Sequence, residues 1–430
     1  YMRSIRILTA AALLLSFTTV SFGQLGLSTK RITFKKEVFE QNLSAALAPQ
    51  TRGYQYVLIK DGRIVSEKAD GLARVAGDGK ANAPAMTMKP TTPINIGSLF
   101  KFISGTAMLN IMETPPQRMG LNYKKKNFDG RLNTPMWGEL PKVWLDEIPK
   151  PGEPGPTQRN ITFRQLLQHR SGFDDQWNAS QKGGRDFLEY LSDGFLASQH
   201  NQREYSNMNF VMVGYMIPLL ERHHLNYAVD EANSGKSKVL ANANARLMIG
   251  GEMDKIVRTY VTNKFAPKMN MSCNATKDYA SSAAYGYSSM SDTTGVISSS
   301  IDTKGHCGGE GGYYMSARDF ANYIAHFSAS NKVVSKTVRD KMFNESMNPN
   351  DRLVWAAATG DNWMNTNFGM PNVAWSNGGT NGTRTVLLRL PQNYYLMVFS
   401  NMRNDGAGQG TSQLYNLGLA AFKAGMQHNF

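Results

Sequence analysis

Ser98 and Lys101 sit one helical turn apart at the start of an apolar stretch, INIGSLFKFISGTAML, that runs over residues 94–109. With about 3.6 residues per turn, positions i and i+3 project from the same face, so the hydroxyl and the amine come into contact. A serine hydroxyl attacks a carbonyl well only when a base takes its proton. A lysine serves as that base when burial or a nearby cation lowers its pKa. Gly97 allows a sharp entry into the helix, and the free amides of the first turn can face a developing negative charge. The chemistry on offer is acylation of Ser98. The Ser-x-x-Lys pattern occurs nowhere else in the chain.

Two further groups follow in order. Tyr205 and Asn207, two residues apart on a loop before an apolar helix at 211–220, can present a phenol and an amide to one cavity. The phenol is suited to proton transfer and the amide to holding a carbonyl or the lysine. Ser376, Asn377, Gly378 and Gly379 then head a C-terminal hairpin, preceded by Trp375. His169 is the most tempting general base, but it closes a short helical pattern, TFRQLLQH, beside a Ser-Gly turn and is expected to be structural.

The elements that must carry these residues are legible in outline. Residues 54–73 read as a β-hairpin turning at Lys60-Asp61-Gly62, and an extended segment at 84–93 leads to Gly97. Residues 115–156, rich in Pro, Gly and polar residues, read as a long surface excursion with apolar islands at Met136-Trp137 and Val143-Trp144-Leu145. Thr162 is the expected N-cap of the helix ending near His169. Further helices are expected over 256–265, from Ser316 to Phe327 and over 411–425. The glycine run 308–312 lacks the Lys-Ser/Thr of a phosphate loop and instead suits close backbone packing near the site. Residues 377–382 read as a turn between strands, with later strands over 383–390 and 394–400.

Hairpins near both ends with helical material between them imply an α/β (α+β) fold. An antiparallel sheet is built from both termini and flanked by helices, with a mainly helical lobe inserted. We expect that lobe at roughly 105–300, and the sheet lobe at roughly 30–104 plus 301–430.

Met2, Arg3 and Arg6, the apolar run 7–17 and the small residues Ser21 and Gly23 have the layout of a secretory signal cleaved before Gln24. The run is short for a bilayer span, so a secreted or periplasmic protein without stable membrane insertion is expected. The net charge is +14, but the basic residues are dispersed and carry no nucleic-acid motif, so no nucleic-acid partner is expected. Cys273 and Cys307 are the only cysteines. In an oxidising compartment they can form one disulfide, worth about 3 to 4 kcal/mol in the chain-entropy account.

Ser98-Leu99-Phe100-Lys101, then Tyr205-Ser206-Asn207, then Ser376-Asn377-Gly378 resemble the ordered motifs of the serine β-lactamase and penicillin-binding superfamily. The resemblance spans roughly residues 54–401 and is strongest to the branch holding class C β-lactamases, D-stereospecific peptidases and family VIII esterases. It implies a β-lactamase-like fold and a set of roles. Ser98 is acylated, Lys101 is its base, Tyr205 relays protons and Asn207 orients the substrate. The amides of Ser98 and Gly379 form the oxyanion hole, and Ser376, Asn377 and Gly378 serve substrate binding. No metal or cofactor is implied.

One position departs from the pattern. The third motif of this superfamily usually begins with Lys or His, and Ser376 occupies that place here. Arg384, at the start of the following strand, is the candidate replacement for the missing cation. The expected function is an exported serine hydrolase acting on a small ester, amide or peptide, with an uncharged acyl site lined by Trp375 and Tyr205. The competing readings are a β-lactamase or DD-peptidase, a catalytically silent binding homologue, and a transacylase.

Overall fold

Strand pairing between the two ends of the chain sets the frame. The computed structural model describes residues 31–78, 84–117, 119, 121–148, 158–174, 187–222, 224–265, 269–297, 308–346, 352–403 and 410–429. The signal-like segment 1–23 and Cys307 lie outside them. Its strands, in chain order, are β1 (Arg31–Phe34), β2 (Gly53–Lys60), β3 (Arg63–Arg74), β4 (Met86–Thr87), β5 (Ile94–Asn95) and β6 (Tyr314–Met315). They continue with β7 (Ala357–Gly360), β8 (Asn372–Gly379), β9 (Arg384–Leu390), β10 (Tyr394–Ser400) and β11 (Met426–Asn429).

Seven strands form an antiparallel sheet in the order β4-β3-β2-β10-β9-β8-β7. The N-terminal hairpin joins the C-terminal strands through β2 and β10, with Tyr54 opposite Ser400 and Lys60 opposite Tyr394. Asp61 and Gly62 take φ of 49° and 75°, the paired positive values that a tight two-residue hairpin turn demands.

Both faces of the sheet are covered, which explains why its central strands are apolar throughout rather than alternating. Val57 and Ile59 point into the larger core with Leu387 and Phe399. Tyr56 and Leu58 point the other way, into a second core with Val398, Leu388 and Phe422 of the C-terminal helix Gly410–Gly425. The larger core continues among the helices Lys101–Glu113, Asn207–Glu221 and Lys238–Tyr260. The first of these is buried nearly all round, as expected of a helix with no polar face. The expected sheet from both termini with helical material between them is thus present.

Three local expectations are corrected. The segment 115–156 holds the short helices Leu121–Lys124, Phe128–Leu132 and Lys142–Leu145. Its apolar islands are core anchors: Met136 and Trp144 are fully buried, and the indole N–H of Trp144 donates to Asn242 Oδ1 at 3.1 Å. The helix expected over 256–265 is the end of the longer helix Lys238–Tyr260, whose asparagines and paired glycines masked its first half. Asn377, Gly378 and Gly379 belong to β8, and the turn begins only at Thr380, where Thr380 N donates to Thr383 O at 3.1 Å.

Cys273 is disulfide-bonded. Among the described residues no helix is long and apolar enough to cross a membrane.

Candidate active site

Ser98 lies in a single 3-10 turn, Gly97–Phe100, that runs directly into the helix starting at Lys101. Three residues per turn place positions i and i+3 on one line, so this local tightening aligns Ser98 with Lys101 more closely than an α-turn does. Gly97 enters the turn at φ 52°, and Asn95 Oδ1 accepts its N–H at 2.9 Å.

Strands β8 and β9 clamp this entry from one side. Thr383 Oγ1 donates to Asn95 O at 2.8 Å, and Thr385 Oγ1 donates to Ile96 O at 2.9 Å. Gly378 and Gly379 make the approach possible. A Cβ on Gly378 would stand 1.8 Å from Ile96 O, and a Cβ on Gly97 would stand 2.6 Å from the Gly379 nitrogen. The Gly379 amide is therefore packed against the residue that precedes Ser98.

The glycine run closes the other side. Ser104 Oγ, one turn beyond Lys101, donates to Gly309 O at 2.7 Å, and Gly309 seats against Gly214, where a Cβ would meet the Gly214 backbone at 2.7 Å. This presents Glu310 O to Lys101. The close packing expected of residues 308–312 is what places a main-chain acceptor in the site.

Lys101 is buried, and its Nζ meets three acceptors: Ser98 Oγ at 2.9 Å, Asn207 Oδ1 at 2.7 Å and Glu310 O at 2.6 Å. Tyr205 Oη lies 3.0 Å from Ser98 Oγ and 3.0 Å from Asn207 Oδ1. Ser98, Lys101, Tyr205 and Asn207 thus form one hydrogen-bonded cluster. Ser206, between the last two, caps the helix Asn207–Glu221 by accepting from Met208 N at 3.2 Å, so Asn207 is held at the first helical position.

His169 stands behind this cluster rather than in it. It is buried at φ 56°, and its Nδ1 accepts Ser206 N at 3.3 Å. Its ring stacks on Tyr205 with centroids 4.7 Å apart. Burial first, then the charges of Arg203 and Lys101, push its pKa well below the usual histidine value, so the ring is neutral. The helix before it begins at Thr162, the expected N-cap, and Gln165 makes the cap a reciprocal capping box.

The cluster opens into a cleft of about 700 Å³. Alternation along β8 turns Trp375, Asn377 and Gly379 toward it, whereas Ser376 and Gly378 do not line it. Ser376 is buried and its Oγ accepts Ala356 N at 3.3 Å. The cleft is not the uncharged site expected from Trp375 and Tyr205, because Arg203, Arg384 and Arg403 also line it.

Arg384 therefore faces the cleft. Its Nη1 donates to Thr380 O at 2.6 Å and Thr383 O at 2.8 Å, and it packs on Gly379. Burial, then Arg403, lower its pKa to about 10. Arg203 donates to Ala356 O, the carbonyl of the residue whose amide holds Ser376 Oγ, and burial followed by Arg352 lowers its pKa to about 10. Two members of the cleft were not predicted. Arg203 had a signal in lying two residues before Tyr205. Arg403 had no sequence signal.

Residues 39–221 match the Beta-lactamase family model. No curated protein matches the chain. Solved structures share the fold at low identity. The chain is similar to a penicillin-binding protein homologue from Pyrococcus abyssi, at 17% identity and a TM-score of 0.58, covering 89% of this chain and 76% of that one. It is similar to a class C β-lactamase from Rhodobacter sphaeroides, at 14% identity and a TM-score of 0.57, covering 89% and 99%. A D-amino acid amidase from Ochrobactrum anthropi SV3 matches at 15% identity and a TM-score of 0.58, covering 90% and 98%.

Proposed function

From the premise that the chain belongs to the serine β-lactamase and penicillin-binding protein superfamily, we propose that it is a serine hydrolase acting on an ester or amide through an acyl-Ser98 intermediate. The observation that carries this reading is the contact of Ser98 Oγ with both Lys101 Nζ, at 2.9 Å, and Tyr205 Oη, at 3.0 Å.

Proton counting assigns the roles. A neutral lysine has two N–H groups and one lone pair. In the neutral form that the attack requires, two donors go to Asn207 Oδ1 and Glu310 O, which leaves the lone pair for Ser98 Oγ, 2.9 Å away. As Oγ bonds to the substrate carbonyl carbon, its proton passes to Lys101, whose three N–H groups then have three acceptors. Both protonation states are satisfied without rearrangement, so little reorganisation opposes the transfer. The carbonyl oxygen takes up negative charge beside the amides of Ser98 and Gly379. Tyr205 then passes a proton to the leaving group, and water attacking the acyl-serine by the reverse route regenerates Ser98.

The retained nucleophile, base, phenol and amide favour catalysis over a silent binding role. Export belongs to the same proposal and rests on the basic-then-apolar pattern of residues 2–23. The test is turnover of phenyl esters and D-amino-acid amides by the protein and by Ser98→Ala. Turnover that disappears with Ser98 supports the reading, and turnover that survives the substitution contradicts it.

A further inference from the structure

Residues 310–313 form a template against which the nucleophile turn is set. Lys101 donates to Glu310 O, and a Cβ on Gly311 would stand 2.9 Å from Gly97 O and 3.3 Å from Ser98 N. Tyr313 makes two further contacts. Its carbonyl accepts Ile96 N at 2.8 Å, and its buried ring lies on that of Phe100 with centroids 3.7 Å and planes 9° apart. Phe100 stands between Ser98 and Lys101 in the chain, so the ring of Tyr313 bears directly on the turn that aligns them.

A phenylalanine ring would stack on Phe100 as well, so the hydroxyl has a separate purpose. It donates to Asp254 Oδ1 at 2.9 Å, on the helix Lys238–Tyr260. Arg258, one turn further on, donates from Nε to Asp254 Oδ2 at 2.7 Å and from Nη2 to Met271 O at 2.6 Å. The next residue, Ser272, pairs with Tyr314 through N–H···O bonds of 3.0 and 2.7 Å. The helix therefore holds β6 from both sides in a closed circuit. Burial, then the Asp254 charge, push the Tyr313 pKa well above the usual tyrosine value, so the hydroxyl keeps its proton and remains a donor. Tyr313, Asp254 and Arg258 do not line the cleft.

We infer that Tyr313 is a positioning residue, through which Asp254 and Arg258 of the long helix fix Ser98 against Lys101. This rests on the serine-hydrolase reading and adds to it residues outside the cleft. Proton transfer across a contact of 2.9 Å tolerates little displacement, and a shift of about 1 Å can cost on the order of a hundredfold in rate. A rotation of Tyr313 moves Phe100 and carries Glu310 O away from Lys101 in the same step.

Tyr313→Phe keeps the stack and removes the bond to Asp254, and Asp254→Ala removes the same bond from the other side. Each is expected to lower kcat about tenfold, per folded molecule as judged by circular dichroism, with little change in KM. Because both break one linkage, the double variant is expected to lose no more than the worse single variant. Asp254→Asn, which keeps an acceptor for the hydroxyl, is expected to recover part of the loss. A merely structural Tyr313 would lower the melting temperature and leave kcat per folded molecule unchanged. That result, or losses that multiply in the double variant, overturns the proposal.

Hydrogen exchange separates this claim from the hydrolase reading. In Tyr313→Phe and Asp254→Ala the amides of residues 96–101 are expected to exchange about tenfold faster or more, while those of β9 and β10 keep their rates. Unchanged exchange at 96–101 overturns the positioning role whether or not esters are turned over. Faster exchange there, in a protein whose turnover is absent or survives Ser98→Ala, keeps the linkage and removes the hydrolase.

Discussion

The ring of Tyr205 is stacked on His169, centroids 4.7 Å apart, while His169 Nδ1 accepts the amide of Ser206 at 3.3 Å. A buried neutral imidazole therefore fixes both the plane of the phenol and the backbone that carries it. His169→Ala is expected to lower kcat about tenfold by loosening Tyr205, with a smaller effect on KM. His169→Gln, which keeps an acceptor for Ser206, is expected to recover part of that loss. The kcat and KM of the two variants, measured together, check this.

The same histidine gives a pH signature. Its pKa is depressed in the folded protein, so at acid pH the unfolded chain binds the proton first. The associated stability is complete above about pH 6.5, the unfolded value, and is lost as pH falls below it. Thermal melting between pH 7.5 and pH 5.5 is expected to show a steeper fall for the native sequence than for His169→Gln. Equal slopes would remove His169 as the source.

Lys101 is expected to tolerate no substitute. Lys101→Met removes the proton acceptor and is expected to lower kcat by roughly 100-fold to 10,000-fold. Lys101→Arg is expected not to rescue, because a guanidinium stays protonated at neutral pH. Tyr205→Phe, which keeps the ring on His169 but loses the hydroxyl, is expected to reduce kcat while leaving the melting temperature nearly unchanged. Steady-state kinetics beside thermal melts separate these cases.

The two glycines of β8 are expected to behave differently. A Cβ on Gly378 would stand 1.8 Å from Ile96 O and 2.7 Å from Leu99 N, both backbone atoms of the nucleophile turn. Gly378→Ala is expected to destabilise the fold by about 3 kcal/mol or more and to lower soluble yield. The three atoms nearest a Cβ on Gly379 would all belong to the flexible Arg384 side chain, at 3.0 to 3.4 Å. Gly379→Ala is therefore expected to fold and to lose activity. Denaturant unfolding of both variants checks the contrast.

The parts of the site legible in the sequence were those set by short spacings. Ser98 and Lys101 share a turn, Tyr205 and Asn207 span three residues, Gly97 announces the sharp entry to the helix, and the glycine run 308–312 announces close backbone packing. Contributions depending on long-range packing were not legible. Glu310 O reaches Lys101 only because Gly309 meets Gly214, and a carbonyl has no residue type to betray it. Strand alternation also redirected the third motif: Ser376 is turned inward to Ala356, while Asn377 and Gly379 face the cleft. In the fold, composition hid the core role of residues 136–145, because Trp144 is anchored by Asn242 from a helix nearly one hundred residues away.

Acylation of Ser98 is the claim on which the rest depends, and intact mass spectrometry tests it most directly. The protein is mixed with phenyl acetate or benzylpenicillin, quenched in acid within seconds and weighed beside Ser98→Ala. An acyl adduct is expected from at least one of the two reagents, located by digestion on the peptide containing Ser98 and absent from the variant. An adduct of equal size on Ser98→Ala, or ester turnover with the label on another residue, would contradict it.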